Sequence, residues 1–159
     1  MRIPATLLAA AFVVTAGCAT VPGTAPVAAI PTVAASLTTA TKAPFGAYLV
    51  DATGRSVYVL EGTRGMTGMA RCSGPCLGVW RPVMTAGPTT TAAGLNAAMA
   101  ASVPAYGGTQ ATYGGWPLYY YSHDSTPSDT TGQNVHDAWG HWYLLSPSGA
   151  PIMPAGAGY

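Results

Sequence analysis

The chain has 159 residues, of which 7% are charged, a net charge of +1, 20 glycines and 14 prolines. So small a net charge gives no electrostatic basis for binding nucleic acid or an anionic membrane surface. So few charges with so many turn formers suit short strands joined by turns rather than long solvated helices. The charge is unevenly spread, because every basic residue lies at or before Arg81 while Asp124, Asp129 and Asp137 stand unopposed after it.

Arg2 precedes the apolar run IPATLLAAAFVV, and TAGC follows, ending at Cys18. The run is too short to span a bilayer as a helix, and it resembles a bacterial lipoprotein signal peptide. The resemblance implies cleavage after residue 17, acylation of Cys18 by a chain such as palmitate, and attachment to the membrane through that lipid. Ala19, in place of the Asp that retains such proteins at the inner membrane, implies an outer-membrane address in the cell envelope. Residues 18–43 are then the lipidated cysteine and a tether of Ala, Thr, Val and Pro with one charge, too poor in large apolar side chains to build a core.

The remaining chain, 44–154, reads as one domain of hairpins. GAYLVDATGRSVYVL (46–60) flanks the turn sequence DATG with β-branched and aromatic residues. Cys72 and Cys76 follow, on either side of the turn-forming SGP. With Cys18 acylated, export leaves these two as a pair in an oxidising compartment, and a disulfide is expected. A ring this small contributes only about 2 kcal/mol on the loop-entropy model. TTAAGLNAAMAAS (90–102) has the composition of a helix, weakened by Gly94. QATYGGWPLYYY (110–121) and HWYLLSPSGAPIM (141–153) read as two more hairpins, turning at GG and PSG.

GRSVYVLEGT (54–63) aligns with GWPLYYYSHD (115–124) at an offset of 61 residues, and Trp80 then falls opposite Trp142 with one residue of slippage. This is an internal repeat. It predicts an all-β fold in which two degenerate tandem repeats, about 46–100 and about 101–153, pack into one small sandwich- or barrel-like domain. On a strand, Tyr119 and Tyr121 share one face while Leu118 and Tyr120 share the other. An aromatic strand of this kind is expected to be covered on both faces, with Asp124 placed to partner a tyrosine hydroxyl or to cap the following turn.

At Tyr119, Tyr121 and Asp124 the chain resembles a bacterial family of secreted or lipoprotein repeats of unknown function that carries a Tyr-x-aromatic-x-x-Asp motif. The first copy keeps Tyr58 but has Leu60 and Thr63 at the other motif positions. The resemblance implies an exported, repeat-built domain and supplies no activity.

No GxSxG, glycine-rich phosphate loop, glycosidase carboxylate pair or HExxH motif occurs. The expectation is a non-enzymatic binding or structural module for an unknown envelope ligand or protein, with Tyr119, Tyr121, His123 and Asp124 as an exposed contact edge. The alternative is a metal-handling or redox protein. Its ligands would be His123, His136 and His141, with the sulfur-rich loop MTGMARCSGPC (66–76) adding soft donors, and copper or zinc would be the metal.

Overall fold

The computed structural model describes residues 33–154. The signal peptide, Cys18 and the first part of the tether lie outside the described residues. Among the described residues eleven strands run in the order β1 (Ser36–Lys42), β2 (Gly46–Asp51), β3 (Tyr58–Leu60), β4 (Trp80–Pro82), β5 (Thr90–Thr91), β6 (Ala100–Ala105), β7 (Gly108–Tyr113), β8 (Trp116–Pro117), β9 (Tyr119–Tyr121), β10 (Val135–Asp137) and β11 (Gly140–Leu144). The one α-helical element among the described residues is a single turn, Cys76–Val79. The fold is all-β. Its strands form a five-stranded sheet, β10-β11-β3-β9-β4, and two three-stranded sheets, β2-β1-β5 and β6-β7-β8.

The five-stranded sheet explains why the sequence repeats. Tyr58 of β3 stands opposite Tyr119 of β9, and these are the residues that the 61-residue offset equates. Each tyrosine strand then takes its other partner from the opposite copy. β3 pairs with β11, placing Leu60 opposite Trp142, and β9 pairs with β4, placing Tyr121 opposite Trp80. The two copies therefore exchange strands about a pseudo-twofold axis at the Tyr58–Tyr119 pair.

Side chains alternate across this sheet as the pleat requires. Val57, Val59, Leu118 and Tyr143 face one cluster with Leu37, Leu49, Trp116 and Leu145. Tyr58, Leu60, Tyr119, Trp142 and Leu144 face another with Tyr48, Trp80 and both cysteines. On a flat sheet β4 and β11 would lie three strand spacings apart, about 14 Å. Yet the rings of Trp80 and Trp142 are stacked with centroids 3.9 Å apart and planes 8° apart. The sheet curls enough for its two tryptophan strands to meet in its hollow.

Four expectations need correction. The tether does not extend to residue 43, because Ser36–Lys42 is β1, paired along its length with β2. The segment's small and β-branched residues make a good strand once Leu37 is fully buried. The helix expected over 90–102 is absent: β5, a 3₁₀ turn at Ala97–Met99 and the start of β6 occupy the segment. There, pairing with β1 and β7 supplies the backbone bonds that a helix would have made, and tertiary context overrides propensity. The first hairpin forms only next to its turn, through Val50–Ser56, after which β3 leaves for the five-stranded sheet. Likewise β7 and β8 turn at Gly114–Gly115 as expected, but β9 departs to join β3 and β4. Both turn glycines have positive φ, 59° and 83°, which a tight two-residue hairpin requires.

Candidate functional site

The tyrosine strand is an interior strand. Tyr119 is fully buried and Tyr121 half-buried, each packing on the tryptophan side, while Tyr120 packs against the other cluster. The edge-on contact of Tyr119 with Trp142, 5.2 Å between centroids, mirrors that of Tyr58 with Trp80, at 5.6 Å. Asp137 closes the stack: its carboxylate accepts Trp80 Nε1–H at 2.7 Å and Trp142 Nε1–H at 3.1 Å.

Asp124 is buried with Tyr119, so of the expected contact edge of Tyr119, Tyr121, His123 and Asp124 only exposed His123 and half-buried Tyr121 reach the surface. Packing explains why: a strand aromatic on both faces is covered on both. The Asp124 carboxylate accepts the Tyr58 hydroxyl at 2.6 Å, the Thr131 amide at 3.0 Å and the Thr131 hydroxyl. It thus both partners a tyrosine and ties down the loop, and the tyrosine it serves belongs to the other copy. Burial above all, then the bond to Asp124, pushes the Tyr58 pKa far above the usual tyrosine range. In the first copy Thr63 stands where Asp124 does, donating its hydroxyl to Leu60 O at 2.7 Å. The Tyr119 hydroxyl instead meets that of Tyr106 at 3.1 Å, and Tyr106 donates to Cys72 O at 2.8 Å.

The loop that follows each tyrosine strand meets the hairpin turn of the other copy, so two clefts form at equivalent places. One, about 470 Å³, lies among Arg64, Gly65, Met66, Met99, Val103 and Gly115. The other, about 330 Å³, is lined by Thr53, Arg55, Asp124, Ser125, Thr126 and Pro127. The first is largely apolar and the second polar. The sequence points to Asp124 of the polar cleft but not to Ser125 and Thr126 beside it or to Thr53 and Arg55 opposite. The repeat offset, which equates DATG with the Gly114–Gly115 turn, is the signal that could have found them.

At the polar cleft, the Arg55 guanidinium lies 4.2 Å over the ring of Tyr120 and reaches Tyr121 O at 3.4 Å. Asp51 Oδ1 caps the turn, accepting Thr53 N–H, Thr53 O–H and Arg55 N–H, and its Oδ2 accepts the Tyr120 hydroxyl. Burial would raise the Asp51 pKa, but those hydrogen bonds outweigh it and hold the carboxyl below its usual range. Asp129 caps the opposite lip, accepting the amides and hydroxyls of Ser125 and Thr126. The bonds from Thr126, then Ser125, lower its pKa.

Of the three histidines, His136 and His141 come together and His123 does not join them. His136 and His141 face each other across β10 and β11 with ring centroids 4.0 Å apart, and His141 Nδ1 lies 3.5 Å from Glu61 Oε2. His123 packs on Tyr121 instead, at 4.9 Å. Among the described residues no group of three or more His, Cys, Asp or Glu side chains is placed to hold a metal. Cys72 and Cys76 form the expected disulfide, fully buried, so the sulfur-rich loop offers no thiolate. Met69 Sδ accepts the Tyr106 amide at 3.1 Å.

Strand-exchanged repeats, a disulfide and a loop pinned by a buried carboxylate define a small repeat-built all-β domain. Residues 101–145 match a family described as a secreted repeat of unknown function. The match covers most of the second copy, the one bearing Tyr119, Tyr121 and Asp124, and it points to an extracellular or envelope location. No curated protein and no solved structure matches the chain.

Proposed function

We propose that the protein is a cell-envelope lipoprotein, anchored through acylated Cys18 at the outer membrane, whose domain is a non-enzymatic binding module. The observation that carries the binding role is the polar cleft, built jointly by the 51–55 turn of one copy and the 124–127 loop of the other. Its hydroxyls send their protons to Asp51 and Asp129, which act as turn caps, and none is paired with a histidine base. That pairing favours binding over nucleophilic chemistry. The motif residues Tyr119, Tyr121 and Asp124 serve the fold that holds the cleft.

Mass spectrometry of the mature protein tests the anchor. A chain starting at Cys18 with added acyl mass is expected, and Cys18→Ala should move the protein from the detergent phase to the aqueous phase. Cleavage elsewhere without lipid overturns the anchoring.

A second reading, copper or zinc handling, has the cross-strand His136–His141 pair beside Glu61 in its favour. Elemental analysis after loading and dialysis separates the two readings. One retained metal per chain, lost on His136→Ala or His141→Ala, would replace the first reading with the second.

A further inference from the structure

We infer that the polar cleft takes a neutral, hydroxyl-rich ligand, an oligosaccharide segment; the inference rests on the binding-module reading above. The cleft's donors and acceptors match such a ligand. Thr53, Ser125 and Thr126 direct their hydroxyl protons at carboxylates, so what they can offer a ligand is oxygen lone pairs. Arg55 offers the opposite. Among the described residues its guanidinium makes one long bond to a carbonyl and no ion pair, and Tyr120 holds its plane in place. A row of ligand hydroxyls, each both donor and acceptor, satisfies acceptors and guanidinium together.

Other ligand classes fit less well. An anion brings only acceptors and would sit among Asp51, Asp124 and Asp129 with one guanidinium to oppose them. A metal cation would need carboxylate lone pairs that N–H and O–H donors already occupy, and it would face Arg55. Pro127 adds an apolar face of the kind that a sugar ring's C–H surface packs against. A volume of about 330 Å³ lies at the small end of small-molecule sites.

The test is an amide and arginine side-chain NMR titration of the full chain in a non-sugar detergent, with maltotriose and with tri-N-acetylchitotriose as probes. Saturable shifts confined to Thr53–Arg55 and Ser125–Thr126 are expected with at least one of them. Arg55→Gln should weaken that binding about tenfold, the loss of one good hydrogen bond to a charged group. Thr126→Val, in an exposed turn, provides the same check should the arginine variant misfold. No saturable shift with either sugar, or saturation by citrate in preference to both, overturns the saccharide inference and leaves the binding-module reading standing. Cleavage of the bound sugar would do the reverse, sustaining the inference and ending the non-enzymatic reading.

Discussion

The two copies share a hydrogen-bond skeleton and differ in how they hold their loops. Glu61 N–H bonds His141 O at 2.9 Å, as Ser122 N–H bonds Val79 O at 2.8 Å. Leu49 N–H bonds Leu145 O at 2.8 Å, as Ala111 N–H bonds Val83 O at the same distance. Beyond the tyrosine strand the copies part. The first pins its loop with the Cys72–Cys76 disulfide and with Tyr106. The second puts β10 in that place and pins its loop with Asp124, Asp129 and Asp137. Backbone architecture thus follows the residues that the copies hold in common, and surface chemistry follows the few at which they differ.

Substitutions at equivalent positions sharpen this comparison. Trp80→Ala and Trp142→Ala should each cost about 3–5 kcal/mol in urea unfolding, because each deletes one partner of the same buried stack. A large inequality between them would break the pseudo-twofold account. Tyr58→Phe should cost about 2 kcal/mol, since it removes the hydroxyl that serves the Asp124 carboxylate, whereas Tyr119→Phe, losing a contact with a neutral hydroxyl, should cost about 1 kcal/mol. Equal losses would mean that the copies' difference at Thr63 and Asp124 has no energetic content.

Replacing both Cys72 and Cys76 with alanine should cost about 2 kcal/mol and speed hydrogen exchange in the 62–80 loop while leaving 122–134 unchanged. Acid should do the opposite. Asp51 and Asp129 have folded pKa values below the ordinary 3.8, so their stabilisation is complete above 3.8 and is lost as pH falls through the lower folded values. Exchange at the lips of the polar cleft should therefore rise below pH 3.8, before any rise at the apolar cleft, whose lips at Arg64–Thr67 and Gly114–Gly115 carry no carboxylate.

Much of this was legible in the sequence because it depends on period and spacing. The alternation Leu118, Tyr119, Tyr120, Tyr121 assigns faces, and the match of Tyr58 with Tyr119 and of Trp80 with Trp142 reveals the duplication. The exchange of strands was not legible: β3 lies beside β2 in sequence, and nothing local says that it will pair with β11 instead. Nor was the burial of Asp124, since Tyr58, its partner, is 66 residues away. β1 was not legible because its Ala and Thr content is also that of a linker, and the burial of Leu37 and the pairing with β2 that distinguish the two are tertiary. Arg55 is illegible for a related reason: one charge in a turn becomes informative only when a loop from the other copy closes over it.

Strand exchange also dictates an order of events as the chain emerges with its N-terminus first. Residues up to Pro82 include two of the five strands of the curled sheet, β3 and β4, and these do not pair with each other. Both wait, edges open, for β9 to arrive between them, and β3 waits longer still for β11. Until Leu144 has appeared, the nascent chain offers unpaired strand edges of the kind that invite association with other chains. Completion of the sheet is therefore a report that synthesis has reached Leu144, and one that a product truncated before β11 could not give.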